Sequence, residues 1–397
     1  MSREEQYTVK RIIKGKLQSI PFYLFRIFPI KKKKIVFCCI EGTTGYSCNP
    51  KYIAEEMINR KDEFEMIWLV NDITKQFPKE IKVVKNSLWN RAYQLATAKI
   101  WIDNSRKQLE VRKRKNQIYI QTWHAKLGFK PTCLDRGHSF SKIAYLISKH
   151  DSDMIDYVLS NSKWYDDTLP SGMMYTGSIL RYGSPRCDIL VNRVCEMHGR
   201  IREIYNLPEN AKIVLYAPTF RGGSQGTDRR IRVDEGKLDY DRLVDALRRK
   251  FGGKWYVMLR LHPQLVARQI SNNTDNNKVI DISKEEDLYE ILAGCDAFIT
   301  DYSSAAFDAA VMRIPVFLYC DDYSEYEAER GKLLWDLKEL PFPLAQDNEE
   351  LEYKVLEFDN GSYQTELLDF FRLTQMEEDG KAAERVADKI KELTKNE

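Results

Sequence analysis

The sequence predicts an α/β protein of two doubly wound, Rossmann-like domains facing a cleft, behind a basic amphipathic N-terminal arm. Three observations predict it. A chain of 397 residues exceeds what one typical core fills, so two domains are expected. Short apolar runs alternate with helical stretches, the pattern of parallel strands joined by crossover helices. That alternation occurs twice, on either side of a hinge expected near residues 190–207. The expected bounds are an arm at 1–33, a first domain at 34–195, a second at 205–375 and a C-terminal helix at 376–397.

In the first series, Lys34 to Ile40 reads as a strand. Asn49-Pro50 then opens a helix through about Arg60, since proline suits the first turn. Phe64 to Val70 is a strand, Leu88 to Ala98 a helix, and Lys99 to Ile102 a short strand ending in Asp103-Asn104-Ser105. Strands at Ile118 to Trp123 and Asp156 to Ser160 follow. In the second series, Lys212 to Ala217 is a strand, Tyr240 to Lys250 a helix, and Trp255 to Leu261 and Val279 to Asp281 strands. Ser283 with Glu286 reads as a capping box for a helix running to Leu292. Ala297 to Thr300 is a strand, Ser303 to Met312 a helix, and Val316 to Tyr319 a strand. The amphipathic stretch Lys381 to Leu393 is expected to pack on one domain or the other.

Charge is unevenly placed. Residues 1–34 hold ten Lys and Arg against Glu4 and Glu5, a net +8, within a chain of net +3. From Thr8 to Ile30 basic residues alternate with Ile, Leu, Phe and Tyr, and Lys31 to Lys34 follow. Such an arm suits an anionic membrane surface. A solvated lead-in helix packed on its own domain fits equally well. A nucleic-acid partner is disfavoured, because no basic-aromatic stripe continues into the body. No apolar run reaches the length of a membrane span. The eight Cys form no C-x-x-C pair, and several lie in apolar strand-like runs. That pattern suggests reduced, buried thiols in a cytoplasmic protein. No metal is expected, for want of compelling ligand spacing. The missing G-x-G-x-x-G and G-x-x-x-x-G-K-[ST] patterns disfavour Rossmann-type NAD and P-loop ATP, and no cofactor is expected.

In open α/β sheets ligands bind beyond the carboxyl ends of the strands. Four segments carry polar residues to such ends: Trp123-His124; Tyr216-Ala217-Pro218-Thr219-Phe220-Arg221; Leu259-Arg260-Leu261-His262-Pro263; and Ile299-Thr300-Asp301-Tyr302-Ser303-Ser304. The last suits a phosphate, because hydroxyls at a helix start share free N–H groups with an anion. Ordinary N-capping by Asp301 or Ser303 is the plainer alternative. A lone strand-end histidine is more often structural than catalytic. Here two of five histidines, one in each half, end predicted strands, and a neutral imidazole can take a proton from an attacking hydroxyl. His138, His150 and His198 sit in polar contexts and read as surface residues. Gly42-Thr43-Thr44-Gly45 reads as backbone that a donor or acceptor can approach, or as a flexible loop.

At these residues the sequence resembles the CDP-glycerol glycerophosphotransferase family, the teichoic acid primases and polymerases of bacterial cell walls. The resemblance runs from about residue 34 to the C-terminus. It rests on QTWH at 121–124, GSPRCD at 183–188, YAPTFR at 216–221, RLHP at 260–263, ITDYSSAAFD at 299–308 and IPVFLYCDDYSEYEAERG at 314–331. It implies a GT-B-like fold with catalysis in the interdomain cleft. It implies His124 as the base that activates the acceptor hydroxyl and His262 as the contact to the donor's phosphate. Arg221, Ser303 and Ser304, with Pro218, Thr219 and Arg260 near them, become donor contacts, and Asp301 positions their turn. The implied reaction moves glycerol phosphate or ribitol phosphate from CDP-glycerol or CDP-ribitol to a lipid-linked cell-wall or capsule polymer and releases CMP. It implies no bound metal, and a peripheral location on the cytoplasmic face of the membrane. Many members carry H-G-T-P where this chain has His124-Ala125-Lys126-Leu127-Gly128-Phe129-Lys130, which leaves the acceptor open. Gly42, Thr43, Lys126 and Lys130 are the acceptor-side candidates, with each lysine meeting either an acceptor phosphate or only solvent. The alternatives are a GT-B glycosyltransferase using a nucleotide sugar, and a binding subunit without turnover.

Overall fold

The computed structural model describes residues 2–219, 238–261 and 278–395. The chain divides into two compact units. One comprises Met1–Lys126, Thr132–Asp188 and Met376–Glu397, and the other Leu127–Pro131 and Ile189–Gln375.

The first unit opens with helices α1 (Arg3–Gln18) and α2 (Ile20–Leu24). It continues through β1 (Lys31–Cys38), α3 (Cys48–Asn59), β2 (Glu65–Val70), β3 (Ile81–Lys85), α4 (Leu88–Thr97), β4 (Ala98–Asp103), β5 (Ile118–Gln121), β6 (Tyr157–Ser160) and β7 (Ser178–Arg181). All pairings are parallel, in the order β3-β2-β1-β4-β5-β6-β7. Successive side chains of β1 enter opposite layers. Val36 and Cys38 join Ile67, Leu69 and Trp101 on one face; Ile35 and Phe37 join Trp68, Val70, Ile100 and Ile102 on the other. Burial on both faces is why these strands read as continuous apolar runs.

Three expectations need correction here. β1 starts at Lys31, so the lysine run is strand and not arm. Lys31 pairs with Glu65 at 3.1 Å and Lys33 with Glu63 at 2.8 Å. Lys34 is buried, donates to Thr97 Oγ1 at 2.7 Å and lies 5.0 Å above the Tyr93 ring. Secondly, β5 stops at Gln121, because Trp123 adopts a left-handed backbone with φ +46°. Thirdly, His150 is half-buried, its Nε2 lies 2.9 Å from the carbonyl of Val111, and burial lowers its pKa. His138 is exposed, and His198 is half-buried with Nε2 3.3 Å from Asp296. The edge strands β3 and β7 were not anticipated.

The C-terminal helix Ala382–Lys395 packs within the first unit, where Val386, Ala387 and Ile390 join Ile53 and Met57 in the core. The Asp188 carboxylate accepts from the N–H groups of Ala382 at 3.0 Å and Ala383 at 2.8 Å, anchoring that helix at its start.

The second unit holds β8 (Ala211–Tyr216), β9 (Lys254–Leu259), β10 (Val279–Asp281), β11 (Ala297–Thr300), β12 (Val316–Tyr319) and β13 (Leu344–Ala345). These are parallel in the order β10-β9-β8-β11-β12-β13. The stretch around 190–207 is largely helical, over Asp188–Asn192 and Val194–Ile204. The expected capping box is absent. Asp287 caps a shorter helix, Leu288–Leu292, and Ser283 Oγ instead accepts from Leu261 N–H at 2.8 Å. Residues 127–131 insert into this unit. Phe129 stacks on Phe307 at 4.8 Å, its carbonyl accepts from Leu334 N–H at 2.8 Å, and the Gly128 carbonyl accepts from Trp335 Nε1 at 3.1 Å.

Both sheets reverse their strand order once, between β1 and β4 and between β8 and β11. Those are the crevices where doubly wound sheets bind ligands.

Candidate functional site

In the first unit the crevice is built by the residues that follow β1, β4 and β5. Asn104, just past β4, spans it: Oδ1 accepts from Ile40 N–H at 2.8 Å, and Nδ2 donates to Cys39 Sγ at 3.0 Å. The Asn104 main-chain carbonyl lies 2.8 Å from His124 Nδ1. A carbonyl only accepts, so Nδ1 carries the proton and Nε2 presents its lone pair. The imidazole is half-buried and packs against Trp123, ring centroids 4.6 Å apart. Burial lowers its pKa to about 4, assisted by the positive charges of Arg186 and Arg106 and opposed by the Asn104 bond and Asp103. His124 is therefore neutral at physiological pH and able to accept a proton. Asn104, which organises it, was read in the sequence only as the end of a strand. An amide directly after a buried strand was the available signal.

The acceptor-side candidates lie in different surroundings. Lys126 is buried, and its ammonium donates to the Gly183 carbonyl at 2.7 Å and to Ser184 Oγ at 2.9 Å. Its burial corrects the expectation of a lysine that meets only solvent. Gly42 has φ +78°, and a Cβ there would lie 2.7 Å from Asn86 Nδ2. The space at this glycine is occupied by a side chain of the fold, so close approach of a ligand does not explain it. Thr43 is exposed, with Oγ1 donating to the Ile40 carbonyl at 2.6 Å. Lys130 is half-buried, its ammonium 5.7 Å from the Tyr326 ring centroid.

In the second unit the Asp301 carboxylate closes the crevice between β8 and β11. It accepts from Thr219 N–H at 2.9 and 3.0 Å and from Tyr302 N–H at 2.6 Å. Pro218 lies between Thr219 and Ala217, whose carbonyl accepts from Thr300 Oγ1 at 2.7 Å. Ser303 and Ser304 are partly open at the start of the helix Ala305–Ala310. Ser303 Oγ accepts from Ala305 N–H at 3.3 Å, while Ser304 makes no side-chain cap. Asp301, occupied by the crevice, is not the cap of that helix. The Arg260 backbone N–H joins the Tyr216 carbonyl at 2.9 Å, and burial lowers its side-chain pKa against Asp287, Glu285 and Glu286. Arg221 and His262 lie outside the described residues.

The model of one family, CDP-Glycerol:Poly(glycerophosphate) glycerophosphotransferase, matches residues 20–392. A teichoic acid poly(glycerol phosphate) polymerase of Staphylococcus epidermidis is 29% identical over 380 residues, covering 91% of this chain and 51% of that protein. The chain thus spans about half the length of the first relatives it matches. A teichoic acid ribitol-phosphate primase of Bacillus spizizenii is 30% identical over 317 residues, covering 75% of this chain and 76% of that protein. A solved structure of a single-substitution variant of the wall teichoic acid polymerase TagF, soaked with CDPG, superposes with a TM-score of 0.81 at 28% identity, over 99% of this chain and 98% of that one.

Proposed function

Because this chain belongs to the CDP-glycerol:poly(glycerophosphate) glycerophosphotransferase family, we propose that it is a transferase for glycerol phosphate or ribitol phosphate. The donor is CDP-glycerol or CDP-ribitol, the acceptor a hydroxyl of a lipid-linked polymer, and the released product CMP. One observation carries the reading: a neutral imidazole at a strand-order reversal, Nδ1 fixed on Asn104 and Nε2 left as acceptor.

In the proposed reaction the acceptor oxygen attacks the donor's β-phosphorus, and its proton passes to His124 Nε2. The new O–P bond forms as the bond to the CMP oxygen breaks, and CMP leaves with that electron pair. A low imidazole pKa makes a weak base in the unliganded protein. An anionic diphosphate beside it favours the protonated form and moves the pKa toward neutrality, where general-base transfer is most effective. Ser303 and Ser304 supply hydroxyls for the phosphate, with Arg221 and His262 as its cationic partners by family resemblance. The exposed apolar and basic residues of α1 and α2 support a place at an anionic membrane surface, next to a lipid-linked acceptor.

The test is a donor panel of CDP-glycerol, CDP-ribitol and UDP-sugars on a lipid-linked acceptor analogue, with the nucleotide and polymer products identified by mass. CMP release from a CDP-polyol, reduced about 10²–10⁴-fold by His124→Ala at unchanged melting temperature, is expected. His262→Ala is expected to lower turnover as well. Full turnover in His124→Ala removes the base, and UMP or UDP release replaces the donor class. A second measurement uses pH. Because the free imidazole titrates near pH 4, kcat/KM, which reports the unliganded protein, is expected to reach its plateau below pH 6.

A further inference from the structure

The turn that presents His124 is strained and is held from outside itself. Trp123 has φ +46°, a left-handed backbone that a bulky L-residue adopts only when its surroundings impose it. Two buried side chains supply the constraint. Asn49, in the first turn of α3, donates from Nδ2 to the carbonyls of Thr122 at 3.2 Å and Trp123 at 2.7 Å. Arg186, in the 3-10 turn Pro185–Cys187, donates from Nη1 to the His124 carbonyl at 2.6 Å. The two are joined, since the Arg186 backbone N–H donates to Asn49 Oδ1 at 3.1 Å. Three consecutive carbonyls of one turn are thus claimed by one linked pair.

We propose that Asn49 and Arg186 are positioning residues that fix the His124 imidazole for proton abstraction, an inference that rests on His124 being the base. Removing one clamp lets the turn relax from its left-handed conformation and carries the ring off Asn104. Displacements of about 1 Å at a reacting group cost on the order of 10²-fold in rate. Arg186 has a second effect through its charge, which disfavours the imidazolium. The other groups facing the ring are Arg106, whose guanidinium lies 4.7 Å from the Trp123 ring centroid, and Asp103, which is ion-paired to Lys107. Cys48 Sγ of α3 sits 3.5 Å from Arg186 Nη1 and belongs to the same charge balance.

The experiment compares Arg186→Gln, Arg186→Lys and Asn49→Ala in the full chain. It uses CMP release from CDP-glycerol and histidine-selective NMR, with the His124 signal assigned through His124→Gln. Arg186→Gln is expected to lower kcat about 10²-fold with KM for CDP-glycerol little changed, and to move the His124 titration to higher pH. Arg186→Lys keeps the charge and loses the fork, so kcat falls while the titration stays near its original position. Asn49→Ala lowers kcat and weakens the Nδ1–H tautomer preference. An unchanged kcat and an unchanged His124 titration and tautomer in Arg186→Gln and Asn49→Ala overturn the proposal. If Arg186→Lys and Asn49→Ala both fail to fold, these residues serve stability alone and the proposal falls. The base reading fails separately, if His124→Gln retains turnover, and the NMR arm still decides the positioning.

Discussion

At the scale of single residues, burial decides which polar groups serve chemistry and which serve the fold. Lys34 and His124 both have pKa values lowered first by burial, to about 8 and about 4. Lys34 spends its charge on Thr97 and the Tyr93 ring, inside the sheet layer. A lysine with a depressed native pKa binds fewer protons than its unfolded counterpart between pH 8 and its ordinary 10.5. Its contribution to stability therefore rises with pH across that window and is unfavourable below it. Lys34→Met is expected to flatten that rise and to change stability at pH 7 by no more than about 2 kcal/mol, in the stabilising direction or near neutral. Denaturant titrations at pH 7 and pH 10 measure both effects. Gly42→Ala tests the other reading of a polar loop. With φ +78° and Asn86 in the way, it is expected to cost about 1–2 kcal/mol, measured by the same titration. A wild-type stability there would mean that the loop is adaptable, as its glycine-rich sequence first suggests.

At the scale of elements, what was legible in the sequence followed burial. β1, β2, β4, β8, β11 and β12 are apolar on both faces and were readable from their runs of Val, Ile, Leu and Phe. β3 and β7 lie at sheet edges, where IKVVK and SILR mix exposed and buried positions and carry no such run. The Ser283–Glu286 spacing misled because a hydroxyl near a helix start has several backbone donors to choose from, and Leu261 claimed it. His124 was noticed because it follows the apolar run of β5, although that strand ends earlier, at Gln121. Asn49, Asn104 and Arg186 were not assigned roles, because each acts on backbone groups far away in sequence. Asp188, within the GSPRCD stretch, behaves likewise at the start of the C-terminal helix. Asp188→Ala is expected to cost about 1 kcal/mol and to speed proteolysis of residues 382–395. Glu378, shortly before that helix, accepts from Ser184 N–H at 2.8 Å and Asn161 Nδ2 at 2.9 Å, and burial raises its pKa to about 7. The native carboxyl then binds more protons than the unfolded one between about pH 4.5 and 7, so its contribution falls as pH rises through that window. Glu378→Gln is expected to lose less stability than the wild type between pH 5 and 7, measured as melting temperature against pH.

At the scale of the whole molecule, α1 and α2 pack on the first unit and still leave an apolar and basic surface open. Phe22 is buried in the core of the first unit, Gly15 packs against Leu109, and Arg11 Nη2 donates to Gln108 at 3.1 Å, so the arm is attached. Ile13, Leu17, Ile20, Leu24 and Ile27 nevertheless remain exposed, beside Lys10, Lys14 and Lys16. Among the described residues no helix is long and apolar enough to cross a membrane. Sedimentation with anionic vesicles is expected to carry the protein down at low salt, with binding weakened several-fold as ionic strength rises past about 0.1 M, where screening reaches about 10 Å. Leu17→Asp with Ile27→Asp is expected to abolish it, and equal binding to neutral vesicles would remove the electrostatic part.

The return of residues 376–397 to the first unit has a consequence during synthesis. Val386 and Ile390 complete a core begun by Ile35 and Ile53, so that core stays open until residue 390 has emerged from the ribosome. Domains commonly mature one after another as the chain emerges. Here the second unit is fully translated first, and the earlier half waits with a greasy trough uncovered. A nascent chain stalled near residue 375 is thus the species on which chaperones should be found, and supplying 376–397 as a separate peptide should release them.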